Sequence, residues 1–520
     1  MRNAHAVAEV RVAESALMAK VPEGALMQRA ASGLAAACAG LLARDARPPG
    51  TAGTRRTRGT RGVYGSRVVV LAGSGDNGGD ALHAGARLAA RGAVVTAIAA
   101  GSRVHEGGTS ALLSSGGRLI EASDDRARPA IAAADLIVDG LLGIGGRGGL
   151  RDPGAWLAAA AERSGGLVVA VDLPSGINAD TGEAAGAAVQ ADVTVTFGTW
   201  KPGLLIDPGA SHAGVVELVD IGLGRYLGPP AVAAAQAADI AAWLPRPTAE
   251  SDKYRRGVLG IVAGSDRFTG AAQLSVGAAV RGGAGMVRLV SAPPAAAVVR
   301  QRWPEAVITT TGDSTGGQVI KAAGQVQAWV AGPGMGTGEP AADLLAAVLA
   351  TSLPVLVDAD GITLLTAHRG LLSRSAPTLL TPHAGELARL LGADRADIES
   401  RRLRYATQAA AELGCTVLLK SSTTVIASPA GGHPVMVNPT GTSWLATAGS
   451  GDVLSGLAGA LLAQGLDPVR AAAAGAYLHG IAARLAAEGA PIGASDVIGA
   501  LPAAIRTVAA ALDGQASTSG

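Results

Sequence analysis

The chain has 520 residues, of which 48% are apolar and 16% charged, so a disordered chain is excluded and two or more globular domains are predicted. The net charge of +2 gives no general attraction to polyanions. Neither nucleic acid nor a membrane surface is therefore expected as a main partner.

The cysteines and the N-terminal residues bear on location. Cys38 and Cys415 are far apart and form no CxxC or metal-type spacing, which suits a reducing cytoplasm. Arg2, Glu9 and Arg11 fall where a signal peptide would be apolar. Charged residues and prolines interrupt the Ala-rich runs, so no membrane-spanning segment is predicted. We expect a soluble, cytoplasmic protein.

Short β-branched runs alternate with Ala- and Leu-rich stretches along most of the chain, a pattern typical of parallel sheets with crossover helices. The strands predicted in the first half are 67–72, 94–99, 136–139, 167–172, 193–197 and 215–219. Those predicted in the second half are 258–263, 286–290, 328–331, 355–358, 378–380 and 416–420. The expected fold class is α/β in both halves, with a Rossmann-like three-layer α/β/α domain first.

Three segments lack this alternation. Residues 44–67 are rich in Gly, Thr and Arg without periodicity, which favours a solvated loop over the alternative of a nucleic-acid contact. Residues 225–244 are Pro- and Ala-rich and predict a linker between domains of residues 1–224 and 245–515. The tail, 513–520, is predicted to be disordered.

In the first half, the strand 67–72 leads into the Gly-rich turn 73–80 and then a helical stretch. Glycines let the backbone approach a ligand closely, and a helix N-terminus attracts anions. The turn is not a GxGxxG match, and a tight connection without a ligand explains it equally well.

Polar residues follow three strands of this half: Asn77, Asp139, Asp172 and Ser175. Ligands of parallel sheets bind outside the carboxyl ends of the strands, so these side chains are predicted to converge. Taken singly, Asp139 or Asp172 is better explained as a cap of the next helix or turn.

Lysine is rare in this chain, with five lysines against 38 arginines, and three of the five lie in motif-like sequence: Lys201, Lys253 and Lys420. Lys420 ends an apolar strand, and four hydroxyl-bearing residues follow it: Ser421, Ser422, Thr423 and Thr424. This run can offer hydroxyl and N–H groups to a nucleotide. A lysine that merely extends from a strand end to solvent is the alternative.

Downstream, Gly449, Gly451 and Asp452 open an apolar helix. Glycines at a helix N-terminus form an anion hole that suits a phosphoryl group in transfer, and a carboxylate beside it can take a proton from a hydroxyl. A helix cap alone is the less favoured interpretation of Asp452, because Lys420 and the glycines indicate the same crevice. The chain is predicted to be a nucleotide-using enzyme.

Four motifs of residues 1–224 resemble the NAD(P)H-hydrate epimerase domain: VVVLAGSGDNGGDAL, DGLLGIGGRGGL, VVAVDLPSGINADTG and TFGTWKPGL. The resemblance implies that Asp172 contacts the substrate as acid/base and that Asn77, Asp139 and Ser175 bind K⁺, a hard cation that suits oxygen ligands. It implies that two loops hold the substrate, formed by Asp76, Asn77, Gly78, Gly79 and Asp80, and by Gly143, Ile144, Gly145, Gly146, Arg147, Gly148 and Gly149. The family more often has Asn at the position of Asp76 and Gly at that of Ala81.

Seven motifs of residues 235–515 resemble the ADP- or ATP-dependent NAD(P)H-hydrate dehydratase of the ribokinase-like superfamily: KYRRGVLGIVAGSDRFTGAAQLS, RGGAGMVRL, AGPGMGTG, VLVDADGI, LLTPHAGELARLL, VLLKSSTTVI and TAGSGDVLSG. A ribokinase-like α/β fold is implied. So are substrate contacts by Ala271, Gly336, His383 and Asp452, with Asp452 as catalytic base. The adenine nucleotide would be held by Lys420, Ser421, Ser422, Thr423, Thr424 and Gly451. Ser421 stands where the family more often has Gly, and fits if that backbone needs no positive φ.

Together the two resemblances imply a bifunctional repair enzyme for hydrated NADH and NADPH. The first domain would interconvert the R and S hydrates, and the second would dehydrate the S hydrate. The dehydration would consume ADP and give AMP and phosphate, or it would use ATP in place of ADP. K⁺, Mg²⁺ and a homo-oligomer are expected with it. Two alternatives stay open: a kinase for a vitamin or sugar hydroxyl, and a first domain that only binds.

Overall fold

The computed structural model describes residues 1–43, 62–146, 148–429 and 432–516. Contacts divide the chain into two compact units, one of Asn3–Val232 and one of Ala233–Gly520 with Met1–Arg2. Most of the Arg-rich stretch predicted as a loop lies outside the described residues, as does the end of the tail. Arg147, predicted to contact the substrate, also lies outside them.

The strands within the described residues are β1 (Arg2–Ala4), β2 (Arg67–Ala72), β3 (Val94–Ala99), β4 (Arg118–Glu121), β5 (Leu136–Gly140), β6 (Leu167–Val171), β7 (Val193–Phe197), β8 (Val215–Val219), β9 (Val232–Ala234), β10 (Val258–Val262), β11 (Met286–Ser291), β12 (Val307–Thr310), β13 (Ala328–Ala331), β14 (Val355–Val357), β15 (Thr378–Leu380), β16 (Thr416–Leu419), β17 (Thr424–Ala427) and β18 (Val435–Asn438).

The helices are α1 (Val7–Met18), α2 (Ala25–Ala43), α3 (Asp76–Ala89), α4 (Glu106–Ser114), α5 (Ala127–Ala133), α6 (Gly154–Arg163), α7 (Gly209–Ala213), α8 (Ala237–Trp243), α9 (Thr269–Arg281), α10 (Pro293–Arg302), α11 (Gly316–Ala323), α12 (Glu339–Leu349), α13 (Asp360–Ala367), α14 (Ala384–Leu391), α15 (Arg395–Ser400), α16 (Arg402–Leu413), α17 (Ser450–Ala463), α18 (Pro468–Ala487) and α19 (Ala494–Ala516). Short 3₁₀ turns lie at Pro202–Leu204, Gly224–Tyr226, Arg369–Leu372 and Ser443–Leu445.

The first unit is built on a parallel sheet of order β4-β3-β2-β5-β6-β7-β8. Helices cover both faces, so the central strands are continuous buried runs, as in β5 and β6. The predicted α/β class is confirmed. The chain turns in opposite directions on either side of β2, which makes the carboxyl ends of β2 and β5 the switch point where α/β sheets bind ligands.

The sheet of the second unit runs β9-β18-β17-β16-β15-β14-β13-β10-β11-β12. It is parallel from β12 to β16 and antiparallel from β16 to β18. Helices α9, α17 and α18 pack into the core of this unit, and α17 is buried almost throughout. The N-terminus of α17 is thereby fixed beside the carboxyl ends of the parallel strands.

The segment 225–244, predicted as a linker, contains β9 and α8 instead. A capping box between Gln236 and Asp239 starts α8, which packs against α18 and α19. The contact boundary therefore falls between Val232 and Ala233. β9 consists of one Val and two Ala. A run this short cannot be distinguished from a loop in the sequence.

Two helices, Ala25–Ala43 and Ala494–Leu512, are long and apolar enough by composition to cross a membrane. Each packs within its own unit, α2 against α3 and α19 against α8, α9 and α18. Core helices of water-soluble proteins pass the same test, so the two helices are weak evidence for a membrane span.

Candidate functional site

The first unit has a cavity of about 580 Å³ at the carboxyl ends of β2, β5, β6 and β7. It brings together eight of the predicted substrate contacts: Asp76, Asn77, Asp80, Gly143, Ile144, Gly145, Gly146 and Asp172. Four more predicted loop glycines do not line it: Gly78, Gly79, Gly148 and Gly149. The cavity lies at the switch point of the sheet.

Gly78 explains why the turn after β2 needs glycine. A Cβ added at Gly78 would lie 2.2 Å from the Gly73 carbonyl oxygen, so only glycine lets α3 begin this close to the turn. Gly79 packs against His105, whose ring a Cβ would approach to 2.9 Å. Both residues shape the loop by packing rather than by facing the cavity.

Asp139 and Ser175, two of the three predicted K⁺ ligands, contact each other in the interior. Ser175 Oγ donates to Asp139 Oδ1 at 2.7 Å, and the Ser175 N–H donates to Oδ2 at 2.9 Å. Burial raises the pKa of Asp139 to about 6, although the hydrogen bonds from Ser175 and Leu141 oppose the shift. No cation of the described residues pairs with this carboxylate, so its negative charge is only partly compensated.

Asp172 follows β6 and has a positive φ of 64°, which is rare for a residue with a side chain. Its Oδ1 accepts hydrogen bonds from Thr196 Oγ1 at 3.0 Å and from the Phe197 N–H at 3.1 Å, and it is in close contact with Lys201 Nζ. Lys201 is 1% exposed, and its ammonium group also donates to Thr196 Oγ1 and to the Phe197 carbonyl. The Asp172 carboxylate is therefore paired with a buried ammonium group.

Two buried polar atoms of the Gly-rich turn have no partner within the described residues, Asn77 Nδ2 and Asp80 Oδ1. Burial first, and then the carboxylates Asp172, Asp76 and Glu14, raise the pKa of Asp80 well above its usual range. A group in this position is available to a ligand.

Helix α1 adds four residues that were not predicted to line this cavity: Arg11, Glu14, Ser15 and Met18. The spacing of three and four places them on one helical face. That periodicity was the only signal in the sequence, and it does not indicate a cavity.

The second unit has a cavity of about 560 Å³ between the strand-end residue Lys420 and the start of α17. Six predicted site residues line it: His383, Lys420, Ser421, Ser422, Thr424 and Gly451. Thr423, Asp452, Ala271 and Gly336 do not. Ser421 is not among the described residues with positive φ, so serine fits where the family more often has glycine.

Lys420 is the centre of a buried charge cluster. Its Nζ donates to Asp358 Oδ1 at 2.6 Å and lies 3.9 Å from Glu386 Oε2, and Ser455 Oγ donates to the second oxygen of Asp358 at 2.6 Å. Burial alone would lower the pKa of Lys420, but Asp358, Glu386 and Asp452 outweigh it and raise that pKa. The ammonium group stays charged.

Asp452 lies in the first turn of α17. Gly449 precedes the helix with a φ of 85°, a left-handed conformation that glycine adopts without strain. Burial first, and then the Asp358 carboxylate, raise the pKa of Asp452 to about 7, while Lys420 opposes the shift. A carboxylate with this pKa can both accept and release a proton near neutral pH.

Gly451 is the residue that allows Lys420 to approach the helix N-terminus, since a Cβ there would lie 3.3 Å from Lys420 Nζ. The positive helix end and the ammonium group thus face one space, which makes the corner suitable for an anion.

The remaining predicted substrate contacts border this corner. His383 begins α14, where its Nδ1 accepts from the N–H groups of Gly385 and Glu386 at 3.0 and 3.2 Å. The Gly336 N–H donates to Asp360 at 2.9 Å, and Ala271 lies on α9, the helix packed against α17. His383 is therefore a helix cap as well as a cavity residue.

His479 on α18 is a cavity residue that sequence analysis did not predict. Burial lowers its pKa to about 4, and its Nε2 has no partner within the part of the chain that the structure describes. The neutral ring can exchange hydrogen bonds with an uncharged ligand group. In the sequence, its place in an Ala-rich helical stretch is the one feature that sets it apart from other histidines.

Two family models match this chain. Residues 23–203 match the YjeF-related protein N-terminus, and residues 259–500 match NAD(P)H-hydrate dehydratase.

The chain is similar over most of its length to curated proteins. A bifunctional NAD(P)H-hydrate repair enzyme of Mycobacterium tuberculosis is 47% identical over 475 residues, covering 91% of this chain and 92% of the relative. That of Mycobacterium leprae is 46% identical and covers 94% of each chain. One of Leishmania infantum is 34% identical and covers 81% of each.

Among solved structures, the ADP/ATP-dependent NAD(P)H-hydrate dehydratase of Bacillus subtilis, co-crystallised with ATP and Mg²⁺, is 28% identical. It covers 52% of this chain and 97% of its own, with a TM-score of 0.46. A ribokinase-like superfamily protein of Enterococcus faecalis is 25% identical, covers 54% of this chain and 98% of its own, and has a TM-score of 0.48.

Proposed function

From the premise that this chain belongs to the bifunctional NAD(P)H-hydrate repair enzymes, we propose that its two cavities are the two active sites. Enzymes of this kind join an NAD(P)H-hydrate epimerase to an ADP/ATP-dependent NAD(P)H-hydrate dehydratase. The cavity of the first unit would carry out epimerisation, and that of the second unit dehydration. A vitamin or sugar kinase with a binding module is not favoured, because both family models match.

In the dehydratase site, Asp452 would take the proton from the ring hydroxyl of the hydrate as the terminal phosphoryl group of the nucleotide moves to that oxygen. Lys420 and the N–H groups around Gly451 would stabilise the negative charge on the phosphoryl group in transfer. Phosphate is a better leaving group than hydroxide, so elimination of phosphate and a ring proton restores the dihydronicotinamide. The observation that carries this proposal is the raised pKa of Asp452, to about 7, beside Lys420 and the helix N-terminus.

The two ligands of this site would contact different residues. The adenine nucleotide would lie against Lys420, Ser421, Ser422, Thr423, Thr424 and Gly451. The hydrated dinucleotide would contact Ala271, Gly336, His383 and Asp452. We propose ADP as the nucleotide, giving AMP and phosphate, and accompanying Mg²⁺. The carboxylate of Asp360, which acts on the pKa of Asp452, offers oxygen ligands of the kind that Mg²⁺ prefers.

In the epimerase site, Asp172 would act as acid/base on the S and R hydrates. The loop of Asp76, Asn77, Gly78, Gly79 and Asp80 would hold the substrate together with the loop of Gly143, Ile144, Gly145, Gly146, Arg147, Gly148 and Gly149. The positions of the first loop at a helix N-terminus and of both loops at the switch point support this.

Asn77, Asp139 and Ser175 would hold K⁺. Their amide, carboxylate and hydroxyl oxygens are hard ligands that suit this cation. Asp139 is fully buried without a cationic partner in the described residues, and a bound K⁺ would compensate its charge. When bound, K⁺ would supply positive charge beside the substrate loops.

We further propose a cytoplasmic homo-oligomer. The cytoplasmic location is supported by Cys38 and Cys415, which are buried free thiols. Light scattering of the purified protein tests the oligomer.

The experiment that tests the proposed function uses a mixture of R and S hydrates of NADH with ADP. Both epimers should disappear, reduced-nicotinamide absorbance should return, and AMP and phosphate should form in equal amounts. With Asp172→Asn, only the S hydrate should be consumed at the wild-type rate. Consumption of ADP without return of the absorbance would refute the dehydratase assignment.

A further inference from the structure

Helix α1 contributes a second carboxyl group to the cavity that contains Asp172. Glu14 lines this cavity together with Arg11, Ser15 and Met18 of the same helical face. Glu14 is partly buried, and it makes no hydrogen bond or ion pair within the described residues. The first family model begins at residue 23, after Glu14.

The two carboxyl groups have opposite surroundings. Asp172 contacts the Lys201 ammonium group and accepts hydrogen bonds from Thr196 Oγ1 and the Phe197 N–H. The pKa of Glu14 is raised, and burial is the largest cause. Asp172 and Asp76 add to the shift, while Lys201 and Arg11 oppose it. Asp80, whose own pKa is raised by burial and by Asp172, Asp76 and Glu14, is a further buried acid of this cavity and has an unpartnered oxygen within the described residues. Environments that separate two carboxyl groups in this way assign one as acid and the other as base.

The substrate chemistry requires two such groups. Water adds to a dihydronicotinamide at the ring carbon next to nitrogen, because protonation of the enamine makes that carbon electrophilic. Inverting the carbon by loss and return of water needs a proton for the departing hydroxyl and a base for the incoming water. If the water returns to the opposite face of the ring, the only net change is the inverted configuration at this carbon.

We propose that Glu14 is a second catalytic residue of the epimerase, the general acid that protonates the departing hydroxyl, while Asp172 takes the proton from the water that returns on the opposite face. The carbon–oxygen bond breaks with its electron pair on oxygen, and the ring nitrogen donates its lone pair to form an iminium ion. Water then adds to this ion, and its surplus proton goes to Asp172. Asp172 is then protonated and Glu14 is ionised, which is the starting state of the reverse reaction. Proton exchange with solvent returns both groups to the starting state of the forward reaction. This inference rests on the proposed epimerase site.

The test compares Glu14→Gln with Glu9→Gln in the full chain. Glu9 lies on the same helix but is exposed and does not line the cavity, so it is a matched control. We expect Glu14→Gln to slow interconversion of the R and S hydrates at least about 100-fold, the lower end of general acid catalysis. Glu9→Gln should retain the wild-type rate, and both variants should dehydrate the S hydrate normally.

The pH profile separates an acid from a residue that only supports the cavity. Glu14 must be protonated to act, so wild-type interconversion should slow as pH rises above the pKa of Glu14. Glu14→Gln should lose this alkaline decline, and Glu14→Asp should keep it at a reduced rate. If Glu14→Gln retains the wild-type rate, or if its rate still declines at alkaline pH, the inference about Glu14 is overturned while the proposed epimerase function stands. If wild type itself does not accelerate interconversion over the protein-free rate, the proposed epimerase function fails, and the inference with it.

Discussion

Lys420 and Asp358 form a partly buried ion pair at the start of α17, with Lys420 Nζ 2.6 Å from Asp358 Oδ1. Ser455 Oγ donates to the second oxygen of the same carboxylate at 2.6 Å, so Asp358 is fixed from both sides. The pair therefore positions the ammonium group before a nucleotide arrives. Because Asp358 also acts on Asp452, the ion pair and the proposed base form one electrostatic unit.

The dehydratase reaction should slow as pH falls through about 7. Burial first, and Asp358 second, raise the pKa of Asp452 to about 7, and only the ionised carboxylate can accept a proton. Each pH unit below that value should reduce kcat/KM about tenfold. Asp358→Asn removes one cause of the shift and should move the midpoint to lower pH.

The measurement is kcat/KM for the S hydrate from about pH 5.5 to about pH 9, a range that brackets that pKa. Epimerase activity in the other unit of the same chain serves as the control for folding. An unchanged midpoint in Asp358→Asn would contradict the coupling. A wild-type rate independent of pH would contradict the role of Asp452.

Asp452→Asn should strongly slow dehydration but stabilise the second unit at neutral pH. Loss of the base should reduce turnover about 10²- to 10⁴-fold. The folded-state pKa of Asp452 is raised to about 7, so in wild type its ionisation favours the unfolded state, and this penalty grows as pH rises from the unfolded value to about 7. The variant lacks the penalty, and its advantage should increase by about 2 to 3 kcal/mol between pH 5 and pH 8.

Calorimetric Tm values of wild type and variant across this pH range give the measurement. Asp394→Asn is the control, because Asp394 caps α15 with hydrogen bonds to two backbone N–H groups and asparagine caps equally well. If Asp452 were only a helix cap, Asp452→Asn would behave like this control in both activity and stability.

Most parallel strands were predictable from sequence, but the outer strands β4 and β12 and the antiparallel hairpin were not. The bounds of β2, β3, β7, β8, β13 and β15 agree with the predicted ones. Most of their β-branched and apolar residues are buried, which leaves a continuous local signal. β8 is an outer strand with exposed residues, and its β-branched run alone was enough to predict it. β4 and β12 are outer strands with exposed residues, while β17 and β18 form an antiparallel hairpin that the parallel pattern does not indicate.

The site residues were predictable where they lie in Gly-rich turns, and their partners were not. Lys420 lies 62 residues from Asp358, and Lys201 lies 29 residues from Asp172. These pairs form only when separate strand ends meet in the folded sheet, so no local pattern indicates them. For the same reason, Glu14 on the first long helix gave no sign of a cavity.

Removal of the proposed K⁺ ligand should affect only the first unit. Asp139→Asn keeps the shape of the side chain but removes the charge that would attract the cation, so K⁺ should no longer raise the Tm of the first transition or stimulate epimerisation. Calorimetry in KCl and in matched tetramethylammonium chloride measures both. Asp135→Asn is a control near the other end of β5, where Asp135 accepts from the Arg67 N–H. A K⁺ response that survives in Asp139→Asn contradicts this site.

Lys201→Met should destabilise the first unit more than the loss of its hydrogen bonds alone. Lys201 is 1% exposed, and its removal leaves the buried Asp172 carboxylate without a cation, which typically costs about 3 to 5 kcal/mol. Asp172→Asn in the same chain removes that unpaired charge, so the double variant should recover much of the lost stability while remaining inactive as an epimerase. Lys20→Met, at an exposed lysine, should change neither property. Calorimetric Tm values of wild type, Lys201→Met, Asp172→Asn and the double variant form a double-mutant cycle. Strictly additive losses in the double variant would show that Lys201 does not compensate the charge of Asp172.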